Sequence, residues 1–528
     1  MELSQKYLAD TFGEDWQDEY NVWDCAAGTG NLLAGLTNKY NIWASTLDKA
    51  DVDVMKDRIE NGANLLESHV FQFDFLNDDF SKLPKCLQEI INDPKRRKKL
   101  IIYINPPYAE AASTTTRTGT GQNKQNVAKT HKTSEQYKSI LGRGINELFV
   151  NFFIRVYKQL PDVMLASFST LKYVTSSNFV NFRNHFKAKN LKGFICPANT
   201  FDNVNGEFPI GFLIWDLSNK EDIKQIKIDV FDKGGIFLKK KFFYSFEKGS
   251  FFSNWLSEQY DNIGKPVGYL KLLGTDIQNN EGICVYSSPS KNDIKKHMVA
   301  NITINNLIQM SIYLAVRKCI EPTWINNGDQ FLYPNKKWEK DIEFQNDCLA
   351  YTLFRNYIQS KHGVNHWIPF SEHEINARDK FDSHFMKGFI NGKIIPNGYS
   401  DLFEQEEDKF CIKREFSQTA QNVFNAGREL WRYYHAQPFP SFSPPIPLLW
   451  RGRGGQGAGE VKWQGVYNVN ASLYDIREYF QGRNEKGKMN NKSDDETYNE
   501  LIGNLRSTLK NLAEKIEPKV YEYGFLKN

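Results

Sequence analysis

The chain has 528 residues, of which 40% are hydrophobic and 25% charged, and its net charge is +4 at pH 7. This composition is typical of a globular protein of two or three domains and excludes a disordered chain. No apolar run approaches the ~20 residues of a membrane helix, no signal peptide opens the chain, and no Cys-x-x-Cys pair occurs, so we expect a cytoplasmic protein without a membrane partner or a metal site.

The first predicted strand ends at Asp24, and a glycine-containing turn and the start of a helix follow it. Gly28 lies four positions after Asp24, and Gly30 completes an Asp-x-x-x-Gly-x-Gly order that includes Ala26. Glycines let the backbone approach a ligand closely at a strand-to-helix turn. Leu33 stands where a pyrophosphate-binding loop carries a third glycine, so a ligand without a pyrophosphate is favoured.

Two further predicted strands also end in acids. Asp48 closes the second strand, 20 residues after Gly28, where a carboxylate can accept hydrogen bonds from ribose hydroxyls. Asp74 ends the third strand and can accept from an adenine amino group, while Phe75 can pack on the adenine ring. Taken singly, each acid also fits an exposed carboxylate at a strand end; their order along the chain favours a binding site.

The fourth predicted strand, Leu100–Ile104, runs directly into Asn105-Pro106-Pro107-Tyr108. The two prolines fix φ and remove two donors, so rigidly aimed carbonyls remain. The Asn105 side chain adds an acceptor and the Tyr108 ring adds a stacking face. Two acceptors beside a ring suit a planar conjugated amino group such as N6 of adenine, although a Pro-Pro turn alone is common in loops.

In this order, the loop, the two acids and Asn-Pro-Pro-Tyr resemble the S-adenosylmethionine-dependent N6-adenine DNA methyltransferases, with a motif order similar to their gamma class. The resemblance covers residues 20–217, and the N-terminal motif that usually cups the methionine end has no clear place in residues 1–19. It implies cofactor-binding roles for Asp24, Ala26, Gly28, Gly30, Asp48, Asp74 and Phe75. It implies catalytic roles for Asn105, Pro106, Pro107 and Tyr108, with the target base stacked between Tyr108 and Phe201, or Phe208 as a second choice.

The same resemblance implies an α/β fold with a Rossmann-like seven-stranded methyltransferase sheet. A helix with an apolar face over residues 149–160 follows the fourth strand, and strands are predicted at residues 163–168, 191–196 and 210–215, the last antiparallel. Between the catalytic motif and residue 147 we expect a long polar loop with several lysines and arginines that contacts DNA phosphates.

We predict four regions along the chain. Residues 1–217 form the catalytic domain, and residues 218–437 form a mixed α+β target-recognition region that includes a strand at residues 237–244. Residues 438–465 form a Pro/Gly-rich linker or insertion. Residues 466–528 form a C-terminal helical segment, whose helix spans residues 494–516 and ends before Pro518.

The expected activity is methylation of a flipped-out adenine in duplex DNA, within a restriction-modification system with a separate endonuclease or as an orphan methylase. Asn-Pro-Pro-Tyr also resembles enzymes that methylate RNA adenine or a protein glutamine. Those enzymes place a small domain ahead of the cofactor loop, whereas this chain has about 300 residues behind the last predicted strand of its methyltransferase sheet. A non-catalytic DNA-binding specificity subunit is a further alternative, against which the intact motifs argue. A fused restriction–modification enzyme is disfavoured because no convincing nuclease motif is found.

Overall fold

The structure is a computed structural model that describes residues 1–107, 131–201, 204, 206–296, 298–394, 413–439 and 467–527. The chain forms two compact units. The first contains Met1–Ser250 and Pro322–Gln330, and the second contains Phe251–Glu321 and Phe331–Lys527. Tyr108, most of the expected polar loop and nearly all of the Pro/Gly-rich segment lie outside the described residues. No helix in the described ranges has the length and apolar character needed to cross a bilayer.

The first unit is built on a nine-stranded sheet whose inner strands are apolar throughout. The strands are β1 (Asn21–Asp24), β2 (Ile42–Thr46), β3 (Val70–Gln72), β4 (Leu100–Ile104), β5 (Met164–Thr170), β6 (Lys189–Pro197), β7 (Pro209–Asp216), β8 (Gln225–Phe231) and β9 (Phe237–Tyr244). All five residues of β2 and of β4 are buried, which is the pattern of parallel strands covered on both faces.

The strand order is β3-β2-β1-β4-β5-β7-β6-β8-β9. Among the first seven strands of this order, β7 alone is antiparallel to its neighbours β5 and β6. This is the predicted Rossmann-like methyltransferase sheet, with its antiparallel insertion, so the fold class is confirmed. The sheet is larger than predicted, however, because β8 pairs in parallel with β6 and carries β9 as an antiparallel edge strand.

The expected domain boundary at residue 217 therefore falls before two strands of the same sheet. In β8 the alternating side chains of Ile226, Ile228 and Val230 are buried, which anchors the strand to the sheet core. The strand over residues 237–244 exists as predicted, but it belongs to this sheet and not to the second unit.

Helices flank the sheet in the order α1 (Glu2–Phe12), α2 (Trp16–Glu19), α3 (Lys49–Glu60), α4 (Lys85–Asn92), α5 (Pro94–Arg97), α6 (Lys132–Leu141), α7 (Leu148–Gln159), α8 (Lys172–Thr175) and α9 (Val180–His185). Helix α7 is the predicted apolar helix. Helix α6 lies within the stretch expected to be one long loop, and the His131 side chain caps its first turn by accepting from the Ser134 amide. That stretch is therefore helical over residues 132–141.

The second unit has its own hydrophobic core around helices and a small sheet of order β11-β10-β12. Its strands are β10 (Gly268–Lys271), β11 (Cys284–Tyr286) and β12 (Val299–Ile302). Its helices are α10 (Phe252–Ser257), α11 (Lys291–Lys295), α12 (Leu307–Lys318), α13 (Ile342–Phe354), α14 (Glu372–Ile375), α15 (Phe385–Ile390), α16 (Gln418–Ala436), α17 (Leu473–Gln481) and α18 (Glu496–Glu522). The C-terminal helices share this core, so residues 467–527 do not form a separate structural unit.

Helix α18 continues through Pro518, where we expected it to end. A proline inside a helix costs roughly 3 kcal/mol because it removes one backbone bond and crowds the preceding turn. Val520 lies on the turn that follows and is fully buried, and Tyr523 and Phe525 just beyond it are also buried in the core. Burial of these side chains offsets the cost of the proline.

Candidate functional site

The carboxyl ends of β3, β2, β1 and β4 meet at one edge of the sheet, because these four strands are adjacent and parallel. Asp24 is the last residue of β1, and Asp48 and Asp74 each follow the end of their strand by two residues. Asn105 directly follows β4. Adjacent strands lie ~4.8 Å apart, so the four groups span roughly 15 Å of this edge. Ligands of open α/β sheets bind at such an edge.

The loop after β1 depends on its two glycines. Gly28 has φ +52° and Gly30 has φ +80°, in the left-handed region that other residues rarely adopt. A Cβ added at Gly30 would lie 3.2 Å from the Met55 side chain, whereas nothing lies within 4 Å of one added at Gly28. The Ala27 amide ties the loop to β2 by donating to the Ser45 carbonyl. The backbone at Gly28 is thus open to a ligand.

Asp24 is a buried carboxyl group, only 1% exposed. Its Oδ1 accepts a 3.0 Å hydrogen bond from the amide of Ala26. Burial raises the pKa of Asp24 from its usual value near 3.8 to about 7, and the bond from Ala26 offsets this only in part. Asp24 has no ion pair with any residue in the described ranges. A positively charged ligand group beside it would stabilise the ionised form.

Asp48 lies in the open, directly before helix α3. Although it occupies the capping position, its side chain makes no capping hydrogen bond. The carboxylate is therefore accessible to ligand hydroxyls. Leu47 beside it is 61% exposed, and an apolar side chain held in solvent at a ligand-binding edge is a candidate for one face of an adenine ring. We did not predict Leu47; the only signal was an apolar residue between strand and helix.

Asp74 shapes the turn after β3. Its Oδ1 accepts from the amides of Leu76 and Asn77, and its Oδ2 accepts from the Asn77 side chain at 2.7 Å. A carboxylate offers about four acceptor positions, so one remains for a ligand amine. The predicted contact between Asp74 and an adenine amino group stays a prediction.

Phe75 lies in the hydrophobic core and is 3% exposed, which contradicts its expected contact with the cofactor ring. Its ring stacks on Phe152 of α7 with centroids 5.3 Å apart and an angle of 6° between planes. The Arg155 guanidinium lies 5.1 Å from the same ring and donates to the carbonyls of Phe75 and Asp78. Arg155 braces the loop after β3, a role that its place on an apolar helix face did not reveal.

Asn105 is half-buried, Pro106 is buried and Pro107 is exposed. Tyr103, two residues before Asn105 in β4, is buried, and its hydroxyl lies 2.7 Å from the Ser4 hydroxyl, which joins α1 to β4. Gln5 of α1 also donates to the Ala34 carbonyl beyond the glycine loop. The N-terminal helix therefore lies against both the glycine loop after β1 and the strand that leads into Asn105.

Phe201 and Phe208 lie between β6 and β7, at the same edge of the sheet, and both are half-buried. The Phe201 ring meets Phe168 of β5 edge-on, with centroids 5.6 Å apart. This contact leaves part of the Phe201 ring exposed, and its stacking on a target base stays a prediction. The partner predicted for the other face, Tyr108, lies outside the described residues.

No protein-family model and no curated protein matches this sequence. Several solved structures resemble part of the chain, including the complex of DrdV with DNA, at 16% identity over 43% of this chain and 26% of that one, with a TM-score of 0.31. The methyltransferase subunit of a type I restriction-modification system from Streptococcus thermophilus is 17% identical over 42% of this chain and 44% of its own, with a TM-score of 0.27.

A putative class I S-adenosylmethionine-dependent methyltransferase from Listeria monocytogenes is 12% identical over 43% of this chain and 61% of its own, with a TM-score of 0.25. The matched region thus spans less than two thirds of each of these proteins. At these TM-scores the similarity carries no argument about activity, substrate or partners.

Proposed function

We propose that this protein is an S-adenosylmethionine-dependent DNA methyltransferase that acts on N6 of adenine. The observation that carries the proposal is the sheet edge itself. The glycine loop, the exposed carboxylate of Asp48, the Asp74 turn and Asn105-Pro106-Pro107 follow four adjacent parallel strands in a fold of the methyltransferase type.

The residues at this edge fit the chemical groups of S-adenosylmethionine. Asp48 is free to accept from the ribose hydroxyls, and Leu47 offers an apolar contact for the adenine ring. The open backbone at Gly28 admits close approach, and the unpaired carboxyl of Asp24 suits the positive charge of the ligand. When bound, S-adenosylmethionine supplies a methyl group on a cationic sulfur.

Asn105 and Pro106 position the amine that receives the methyl group. The lone pair of an exocyclic adenine amine is delocalised into the ring, so the amine is a poor nucleophile. The Asn105 side-chain oxygen and the Pro106 carbonyl accept its two N–H groups and favour a pyramidal nitrogen. The rate then comes from positioning and electrostatics, with no need for a strong general base.

Duplex DNA is the proposed substrate, and the target base must leave the stack to reach the sheet edge. Reading a site of several base pairs needs a protein surface on the order of 1,000 Å² beyond the catalytic pocket. The second unit, about half of the described residues, is large enough to supply it. As part of the same proposal, a separate cognate restriction endonuclease is a partner in a restriction-modification system.

The test is chemical identification of the product. The purified protein is incubated with duplex DNA and methyl-labelled S-adenosylmethionine, and the DNA is digested to nucleosides. We expect N6-methyladenine, absent with the Asn105→Ala variant. N4-methylcytosine would refute the adenine assignment, and label in RNA or in protein would refute the DNA assignment. Sequencing methylated DNA from a host that expresses the chain then gives the recognition sequence.

A further inference from the structure

The hairpin that joins β8 and β9 ends in eight consecutive exposed residues, 233–240. Three of them are adjacent large apolar residues, Ile236, Phe237 and Leu238, which are 65%, 50% and 47% exposed. Proteins rarely hold such a run in solvent without a binding partner. We call residues 232–239 the hairpin tip.

The tip is a defined turn that holds these side chains in place. The amide of Gly235 donates to the Asp232 carbonyl at 3.1 Å, and the amide of Ile236 donates to the Asp232 carboxylate at 2.8 Å. Gly235 has φ +78°, which glycine adopts at no steric cost. The Phe237 ring also meets Phe231 of β8 edge-on at 5.8 Å. The exposed run is therefore fixed by backbone bonds and by one ring contact.

The topology brings the tip to the same edge of the sheet as Asn105. Strand β8 is parallel to β6, and β6 is related to β4 through β7 and β5, so β8 and β4 point the same way. When the residue pairings are followed across β5, β7 and β6, Ile104 at the end of β4 lies level with Ile228 of β8. Strand β8 continues for three residues beyond that level. The tip thus rises roughly 10 Å above the end of β4 at ~3.3 Å per residue.

The lateral distance from Asn105 to the tip follows from the strand order. Four to five strand spacings separate β4 from β8 and β9. At ~4.8 Å each, this is roughly 20–24 Å. Base pairs rise ~3.4 Å along a duplex, so the tip stands about six or seven base pairs from the position of Asn105.

The charges of the tip favour a polyanion. Lys233 and Lys239 are exposed and form no ion pair with any residue in the described ranges, while the nearby Lys240 is only loosely paired, 3.7 Å from Asp229. The single acid of the tip, Asp232, is engaged in the turn. Lysines on an edge strand also oppose its pairing with another protein strand.

Together, these features lead us to infer that the β8–β9 hairpin tip is a DNA-contact element. Lys233 and Lys239 bind phosphates, and Ile236, Phe237 and Leu238 enter a groove about six or seven base pairs from the target base. Apolar side chains of these types are the ones that wedge between base steps, with basic residues beside them on the backbone. The inference rests on the proposed function, because it takes duplex DNA as the substrate.

Two pairs of variants of the full chain test the contact. Lys233→Gln/Lys239→Gln is compared with Lys95→Gln/Lys98→Gln, whose lysines are also exposed and form no ion pair within the described part of the chain but precede β4 at the opposite edge of the sheet. Ile236→Ser/Phe237→Ser is compared with Ile263→Ser, an exposed isoleucine of the second unit. DNA affinity is measured against salt concentration, and S-adenosylmethionine affinity is measured beside it.

Loss of two phosphate contacts should reduce the magnitude of the negative slope of log K against log[salt] by about 1.8 and weaken binding roughly 30-fold at 0.15 M salt. We expect the apolar double variant to lose at least tenfold in DNA affinity and to alter protection of the duplex six or seven base pairs from the methylated adenine. Both control variants should match the wild type, and cofactor affinity should not change.

Three outcomes would overturn the inference. If the wild type methylates DNA and the tip variants bind it like their controls, the tip does not contact DNA and the proposed function stands. If the tip variants keep DNA binding but change the mass of the protein in light scattering, the tip is a protein interface. If the wild type neither binds nor methylates DNA, the proposed function itself fails, and the inference with it.

Discussion

In the nine-stranded unit, several ionisable side chains lie at strand ends with few protein partners, whereas in the second unit similar side chains are enclosed by partners. Asp48 is exposed and makes no capping bond. Arg317 of α12, by contrast, is fully buried and donates to the Asn280 side chain and to the carbonyls of Gly274 and Asp276. The first arrangement leaves acceptors for a ligand, and the second stabilises a scaffold.

Two buried carboxylates make the contrast clearest. Asp347 in the second unit is 2% exposed and accepts from the Lys515 ammonium and the Ser417 hydroxyl, each at 2.7 Å. Asp24 is as deeply buried and, among the residues that the structure describes, accepts only from the backbone amide of Ala26. A buried carboxylate without a cation is costly, and we propose that at this edge of the sheet the positive charge arrives with the ligand.

The largest expected effect in this comparison belongs to Asn105. Replacing Asn105 with Ala should lower the methylation rate constant by at least about 100-fold, because removal of one preorganised hydrogen-bonding group costs that much in related electrostatic sites. Affinity for S-adenosylmethionine should be nearly unchanged, because the lost oxygen acts on the substrate amine. Single-turnover methylation and calorimetry with the cofactor measure the two quantities separately.

Asn92→Ala is the matched control for that variant. Asn92 is exposed at the end of α4, away from the carboxyl edge of the sheet, and its loss should leave both quantities at wild-type values. An Asn105→Ala protein that methylates at a near wild-type rate would show that the amine is activated by other groups.

Asp48 should have the next largest effect. Asp48→Ala removes a charge-assisted hydrogen bond to the ribose and should weaken S-adenosylmethionine binding by about 1.5–3 kcal/mol, or roughly 10- to 150-fold. Asp48→Asn keeps an acceptor without the charge, so its affinity for S-adenosylmethionine should lie between those of the wild type and Asp48→Ala. Asp57→Ala, an exposed acid further along α3, should bind like the wild type. Unchanged affinity in Asp48→Ala would remove this residue from the site.

Two glycine substitutions in the second unit test whether changes there affect binding at the proposed cofactor site. A Cβ at Gly427 of α16 would lie 2.2 Å from the buried Phe354 ring, so Gly427→Ala should destabilise the protein by about 1–3 kcal/mol. Nothing lies within 4 Å of a Cβ at Gly503 of α18, so Gly503→Ala should stabilise it by up to about 1 kcal/mol. Denaturant unfolding measures both changes.

Because the Phe354 ring must shift to admit the added Cβ, the Gly427→Ala protein should lose DNA affinity even below its unfolding midpoint, while it binds S-adenosylmethionine as tightly as the wild type. Parallel losses of cofactor and DNA binding in that variant would mean that the two units do not act separately. Gly503→Ala should change neither affinity.

The sequence predicted the first unit well because its signals are local. A short apolar run followed by Asp, Gly or Asn predicts both a strand and the functional residue at its end, as at Asp24 and Asn105. Phe75 shows the limit of this reasoning. Its neighbour Asp74 is a candidate ligand-binding residue, but the Phe75 ring packs on Phe152, a contact that depends on a helix distant in sequence. The extent of the sheet was missed for the same reason, because β8 is held by pairing with β6, residues 189–197.

In the second unit the sequence predicted single elements but not their assembly. The C-terminal helix expected over residues 494–516 exists as α18, Glu496–Glu522. The end expected at Pro518 was wrong because burial of Val520 and Phe525 outweighs the local effect of proline. Tertiary burial of this kind leaves no pattern within a few residues of the proline.

The smallest expected effect concerns the proton on Asp24 and tests the contrast with Asp347 directly. With a pKa raised to about 7 by burial, Asp24 is mostly protonated at pH 6 and mostly ionised at pH 8 in the free protein. A cation bound beside it lowers this pKa and expels the proton. Binding of S-adenosylmethionine should therefore release most of a proton at pH 6 and little at pH 8.

The pKa of Asp24 also fixes the sign of a stability effect. Its folded value, about 7, exceeds the unfolded value near 3.8, so the folded state binds more protons between these limits. This contribution to stability is fully present below about pH 4, is lost as pH rises to about 7 and does not change further above it. Asp24→Asn should therefore melt at a higher temperature than the wild type at pH 8, with the difference vanishing near pH 4.

Calorimetry in buffers of different ionisation enthalpy counts the protons released on binding. The Asp24→Asn variant should release none at any pH and should bind the cofactor more weakly at pH 8, where the wild type is ionised. S-adenosylhomocysteine, which lacks the sulfonium charge but keeps the ammonium group, identifies the cation: equal proton release with both ligands points to the ammonium, and release with S-adenosylmethionine alone points to the sulfonium. No proton release with either ligand would mean that Asp24, like Asp347, is only part of the scaffold.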